Sequence, residues 1–119
     1  MTDLPAGTLI VVEWALGADI DGGDATKAAK RAVATAIRNV VLPGLRSLVA
    51  DTGRKWRVNV RLGVPEGASA VDQAAVLAEL PYREGATIEV VQGGLATPNG
   101  LSAQGRTTIV VAAVEIRLA

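Results

Sequence analysis

The side chains with the clearest potential for chemistry lie in one acidic stretch, Asp19-Ile20-Asp21-Gly22-Gly23-Asp24. Three carboxylates within six residues could bind a hard cation through oxygen ligands or contact a small polar substrate directly. The stretch follows a predicted strand and precedes a predicted helix, a junction at which open α/β sheets tend to bind ligands. Lys27 lies in the first turn of that helix, and the predicted catalytic residues are Asp19, Asp21 and Lys27.

A structural role for the same stretch is the main alternative. Asp24 can cap the helix, Asp19 can fasten the turn, and Asp21 can remain in solvent. The calcium-loop pattern fails because Gly23 and Lys30 stand where it requires ligands, so no metal ligand is predicted. The glycine spacing fits neither the phosphate-binding loop of nucleotide hydrolases nor the dinucleotide fingerprint.

The predicted ligand-binding residues come from two parts of the chain. Glycines beside the carboxylates let the backbone bend, so that the acidic groups can converge. Two arginines on a later strand could clamp a carboxylate, or could pair with acidic side chains of a neighbouring subunit. The predicted set is Gly17, Gly22, Gly23, Asp24, Arg57 and Arg61.

The composition excludes several classes of chemistry. The chain has no Cys and no His, which excludes thiol chemistry and imidazole ligands or bases, and no cofactor is predicted. Its 12 basic and 12 acidic side chains balance, so the excess positive charge typical of nucleic-acid binding is missing. A short polar start and no apolar run near about 20 residues predict a cytoplasmic protein that does not associate with membranes.

The 119 residues predict one α/β domain over positions 1–119. Strands are predicted over 8–15, 56–64, 86–92 and 107–118, main helices over 25–40 and 69–79, and a short helix over 45–50. This order, β-α-β-α-β-β, predicts a two-layer sandwich with both main helices on one face of a four-stranded mixed sheet. Asp24 and Ser69 are the expected helix caps, and residues 95–105 are expected to form a loop.

The second face of the sheet is predicted to be partly polar and partly apolar. Along residues 56–64, apolar side chains alternate with Arg57, Asn59 and Arg61, so these three share the face away from the helices. The mean hydropathy of +0.33 is high for a small monomer. We therefore expect a homo-oligomer, a trimer or larger, although an ordinary solvated sheet face fits the same pattern.

Two classes of function follow from these observations. The first is a small-molecule-binding protein or enzyme of unknown reaction, whose Asp/Gly loop is completed at a subunit interface and takes a small polar molecule. The second is a non-catalytic, homo-oligomeric structural or assembly protein, which the absence of His and Cys favours.

The chain also resembles a family of small conserved hypothetical proteins with the N-terminal signature Gly-x-Gly-x-Asp-x-His-Gly. The corresponding stretch here is Ala15-Leu16-Gly17-Ala18-Asp19-Ile20-Asp21-Gly22, and the resemblance extends through Leu42-Pro43-Gly44, Arg61-Leu62-Gly63-Val64-Pro65 and Gly93-Gly94-Leu95. Ala15 replaces the first glycine, and Asp21 stands where the family has His. If that His is a ligand or proton carrier, the function is altered here, whereas Asp can stabilise a turn equally well. The resemblance implies a candidate loop but no reaction.

Overall fold

The structure is a computed structural model that describes residues 4–39, 50 and 53–119. Within them the chain forms β1 (Leu9–Asp19), α1 (Ala25–Asn39), β2 (Trp56–Val64), α2 (Gln73–Leu77), β3 (Thr87–Gln92), β4 (Leu95–Pro98) and β5 (Arg106–Leu118). The mixed α/β class is confirmed. The short helix predicted over 45–50 lies, apart from residue 50, outside the described residues.

The last strand organises the sheet. β5 pairs antiparallel with β1 on one side and with β2 on the other, and β3 extends the sheet by pairing parallel to β2. β4 pairs with the start of β5, on the same side of β5 as β2 and beyond the end of β2. The predictions of four strands and of the chain order β-α-β-α-β-β are therefore wrong, because the described residues form a five-stranded sheet.

The unpredicted strand, β4, lies in the segment that was expected to be a loop. Its four residues include Pro98, and they form a strand because the start of β5 supplies hydrogen-bonding partners, with Leu95 opposite Ile109. The preceding Gly93 donates its backbone N–H to the carbonyl of Val64 at 3.0 Å, which carries the chain from β3 across to the end of β2. Four residues containing a proline give no strand signal of their own.

The core lies between α1 and one face of the sheet. Alternate residues of β2 point into it, as predicted, since Val60 and Leu62 are fully buried while Arg57 and Arg61 are exposed. The helix contributes mainly small side chains, and its fully buried residues are Ala25, Ala28, Ala29, Ala32, Val33 and Ala36. Neither described helix is long and apolar enough to span a membrane.

Gly17 sets the distance between α1 and β1. A Cβ atom at this position would overlap the backbone of Ala28 and Ala32 in the helix. Gly17 lies inside β1, opposite Val110, whereas the strand was predicted to end at residue 15. The glycine therefore serves close packing of helix on strand, and the strand continues through it to Asp19.

Two side chains cap α1, and one of them was expected to act elsewhere. The Asp24 carboxylate accepts the backbone N–H of Lys27 at 3.0 Å, which confirms the predicted cap. The Ser69 hydroxyl accepts the backbone N–H of Ala25 at 3.0 Å, so it caps α1 from a distant segment. The helix predicted over 69–79 is instead α2, which begins after Asp72, the residue that caps it.

We predict that Gly17→Ala lowers the free energy of unfolding by about 3 kcal/mol, because the added methyl group forces α1 away from β1. The matched control is Gly63→Ala, a strand glycine whose Cβ would lie 3.4 Å from the nearest atom, the backbone nitrogen of Gly94. This control should change stability by less than about 1 kcal/mol. Urea unfolding of both variants measures the difference, and equal effects would show that Gly17 does not set the packing distance.

Candidate functional site

The structure brings together two of the predicted catalytic residues at the end of β1. Asp19 is only 5% exposed, and its Oδ2 accepts the backbone N–H of Asp24 at 2.9 Å. Its Oδ1 lies 3.8 Å from Nζ of Lys27, whose side chain is 54% exposed. Asp19 thus fastens the strand to the helix and holds one loosely paired cation at the surface.

Asp21 is held by a different element. Its Oδ1 accepts Nδ2 of Asn99 at 2.8 Å, and the same Nδ2 also donates to the carbonyl of Ile20 at 2.9 Å. Thr107 of β5 donates to that carbonyl as well. The loop is therefore tied to the turn between β4 and β5. The described residues contain no group of three acidic side chains arranged to hold a metal ion.

The predicted loop glycines have local structural roles. A Cβ at Gly22 would lie 2.7 Å from Oδ2 of Asp19, so a glycine leaves room for the buried carboxylate. Gly23 has φ of +63°, a left-handed conformation that favours glycine. These contacts account for Gly17, Gly22, Gly23 and Asp24 without a ligand, and their proposed role in binding stays a prediction.

A groove of about 440 Å³ lies beside this loop, between α1 and α2. Lys27, Lys30 and Arg31 line it together with Asp24 and Glu79. Lys30 lies 3.8 Å from Glu79, and Arg31 donates to the carbonyl of Ala18 at 2.6 Å. Lys27 and Lys30 are thus both loosely paired, and the side chain of Lys27 is the more exposed of the two, at 54% against 44%.

A second polar cluster, which was not predicted from the sequence, covers one end of the open sheet face, the face that points away from the helices. The register places Asn59 opposite Glu115 and Thr87, and Arg61 opposite Glu89. Nδ2 of Asn59 donates to Glu115 at 2.8 Å and more weakly to Glu89 at 3.4 Å, while Thr87 donates to Oδ1 of Asn59 at 2.8 Å. Glu115 is only 7% exposed although no described element covers this face. The alternation of β5 puts Glu115 on the face of Asn59, and only the strand order could reveal the contact.

The carboxylates of this open-face cluster favour their ionised forms. The hydrogen bond from Asn59, helped by Arg117, lowers the pKa of Glu115 despite its burial. The hydrogen bond from Arg61 lowers the pKa of Glu89, and the same contact raises the pKa of Arg61. Two carboxylates held in this way are anionic at neutral pH and are poor proton donors.

The two predicted ligand-binding arginines differ in their surroundings. Nε of Arg61 lies 2.8 Å from Oε1 of Glu89, so its charge is already paired within the chain. Arg57 lies four residues earlier on the same face, and its side chain forms no hydrogen bond or ion pair within residues 4–39, 50 and 53–119. The structure thus separates the two arginines rather than joining them in one clamp.

We predict that Glu115→Gln flattens the acid limb of the stability profile. Because the pKa of Glu115 in the folded chain lies below the value of about 4.3 in unfolded chains, its carboxylate stabilises the fold above that pH. This contribution disappears as the pH falls through the folded-state pKa. Wild-type protein should therefore lose stability below about pH 4.3 more steeply than the variant. Urea unfolding between pH 7 and pH 3 tests this, with the exposed Glu66→Gln as control, and parallel curves for wild type and Glu115→Gln would contradict it.

Comparison with known proteins places the chain in a family without an assigned activity. No curated protein matches the sequence. A crystal structure described as an FtsZ-like protein of unknown function, from Nostoc punctiforme PCC 73102, has a TM-score of 0.78 and 29% sequence identity. The match covers 94% of this chain and 96% of that one. The model of the Lin0512 family, described as conserved hypothetical proteins, matches residues 9–116. The chain belongs to the Lin0512 family.

Proposed function

We propose that the protein acts as a homo-oligomer in which the open face of the sheet is buried between copies of the chain. One observation carries the proposal: a band of large apolar side chains crosses this face in contact with solvent. Trp14 is 66% exposed, and Leu16 and Leu95 are 55% and 56% exposed. Contiguous apolar surface of this kind is uncommon on soluble monomers and is typical of interaction sites.

The register shows that the apolar band is continuous. Leu16 of β1 lies opposite Val111 of β5, which in turn lies opposite Gly63 of β2, and Gly63 pairs with Val91 of β3. Residues directly opposite one another on paired strands point to the same side of the sheet. The band therefore spans all of the main strands, and Trp14 extends it by one row.

The face is large enough for a stable interface. β5 has 13 residues, and at about 3.3 Å per residue it is roughly 40 Å long. Four strand positions spaced by about 4.8 Å give a width of roughly 20 Å, and hence a face of roughly 800 Å². Stable protein interfaces bury about 800 Å² on each partner.

Charge complementarity favours a second copy as the partner. Beside the apolar band the face carries Arg57, Arg61 and Arg117 together with Glu89 and Glu115, and the whole chain has no net charge. A second copy presents the same mixture of signs and the same apolar band. Arg61 and Arg117 are already paired with Glu89 and Glu115, so this face lacks the cluster of uncompensated positive charges that binding of nucleic acid or an anionic membrane requires.

We predict that Trp14→Glu converts the assembly to monomers, because a charge within the buried face must lose its hydration. Sedimentation velocity across a dilution series from high to low micromolar concentration measures the change. The matched control is Leu101→Glu, since Leu101 is 65% exposed but lies in the turn between β4 and β5. The control should assemble as wild type does.

Tryptophan fluorescence gives an independent measure of the same event. Trp56 is buried and stacks on Tyr82 with ring centroids 4.9 Å apart, so a shift of emission on dilution reports mainly on Trp14. Wild-type protein that is monomeric at micromolar concentration would overturn the proposal. The proposal would also be overturned if both Trp14→Glu and Leu101→Glu assembled as wild type does.

A small polar molecule bound at the acidic loop is the second candidate function. The observation that favours it is the exposed ammonium group of Lys27, which lies beside the buried Asp19 and lines the groove between α1 and α2. Ile20, 56% exposed, carries apolar surface onto the loop itself. An assembled neighbour packed against that surface would complete a site containing Asp19, Asp21 and Lys27.

We predict that Asp19→Asn separates the ligand-binding role of the loop from its structural role. The amide oxygen can still accept the N–H of Asp24, but the negative charge beside Lys27 is lost. If the loop binds a ligand, a thermal-shift screen of polar metabolites should give a hit that the variant loses while its unfolding and its sedimentation remain unchanged. A variant with lowered stability, together with no hit for wild type, would leave only the structural role.

A further inference from the structure

A concavity of about 500 Å³ lies at the polar end of the open sheet face, beyond the apolar band. Gly7, Arg57, Asn59, Thr87 and Arg117 line it, together with the last two residues of the chain. The acidic loop lies at the opposite end of β1, so this hollow is separate from that site; it lies beside the proposed interface, with which it shares Arg57 and Arg117. Its polar side chains are those of Arg57, Arg117, Asn59 and Thr87, and the rest of its wall consists of small or apolar residues.

Two like charges face each other in this concavity. Arg57 of β2 and Arg117 of β5 are register partners on antiparallel strands. Side chains in this relation lie about 5 Å apart at Cβ, and like charges placed directly opposite one another are destabilising. The register therefore places two arginine side chains next to each other on this face.

The chain compensates the charge of only one of these arginines. Arg117 donates to Oε2 of Glu115 at 2.9 Å and to the carbonyl of Gly7 at 3.0 Å. Glu115 is further engaged by Asn59. In the described part of the chain, no acceptor pairs with Arg57, and all five of its N–H donors face solvent or the hollow.

The remaining charges around Arg57 are of both signs, and none of those in the described residues forms an ion pair with it. Lys55 lines an adjoining depression on the far side of Arg57 and is exposed. Glu84 lines that depression too, with Oε2 at 3.4 Å from the hydroxyl of Tyr82. Ala119 lies at the border of both hollows, and its carboxylate forms no ion pair within the described residues. An anion could therefore bind to Arg57 without displacing an existing ion pair.

We infer that this concavity binds a small anion with a carboxylate or phosphate group, held by Arg57 and supported by Arg117. A planar guanidinium matches both groups with two parallel hydrogen bonds. Arg117 is fixed in place by Glu115 and Gly7, and it retains N–H donors beyond the two that those contacts use. An anion bound between the two arginines also reduces the repulsion between their positive charges.

The test uses inorganic phosphate and succinate as separate probes, each titrated at constant ionic strength with sodium chloride as the balancing salt. Binding to the folded state should raise the Tm of wild type with a saturable dependence on one probe or both. Arg57→Gln should weaken the binding by about tenfold or more, because a charged, bidentate contact is lost. Without any probe, Arg57→Gln should be no less stable than wild type, since it removes the like-charge pair.

Arg61→Gln is the matched control, because Arg61 lies on the same strand and face but is already paired with Glu89. It should keep the response to the probe. Amide chemical shifts of Gly7, Asn59 and Thr87 in wild type give a second measurement that does not depend on any variant. A response to phosphate alone or to succinate alone identifies the group recognised. No saturable response to either, or equal loss in both variants, would overturn the inference.

Discussion

The close contact between α1 and β1 is the constraint on which the rest of the molecule depends. Gly17 brings the helix backbone against the strand, and alanines such as Ala28 and Ala32 keep the helix side of the contact narrow. Small side chains bury little area each, so the core gains its stability from many short contacts rather than from a few large ones. The close packing of α1 on β1 also places the start of the helix within reach of two side chains. Asp19 accepts the N–H of Asp24, and Ser69 accepts the N–H of Ala25.

Much of the helical layer and of the core could be predicted from the sequence. The alternation of β2 and the amphipathic period of α1 are local signals, and the observed bounds of both elements agree with them within one residue. β4 could not be predicted, because it exists only through pairing with β5. The extension of β1 was missed for a related reason. A glycine in a strand has the same local signature as one in a turn, and only the position of α1 distinguishes them.

The candidate sites likewise combine contacts that could be predicted from the sequence with contacts that could not. Spacing alone places Asp19, Asp24 and Lys27 together, because a strand end and a helix start that follow one another are neighbours in space. The cluster of Asn59, Glu89 and Glu115 joins residues far apart in the chain, on three strands. This cluster could be predicted only from the order of the strands in the sheet, and the hydrophobic periodicity of a single strand does not give that order.

The central position of β5 has a consequence for how the chain is made. β5 is synthesised after all the other described elements, yet it is the only strand partner of β1 and the link between β1 and β2 within the described sheet. A nascent chain that has already exposed the apolar β1 must wait for almost the whole remaining sequence before that strand can pair. Contacts between distant parts of a chain slow folding and prolong the exposure of unpaired strands. Because α1 follows β1 directly in the chain and packs against it, this contact is the one that can shield the first strand until β5 is made.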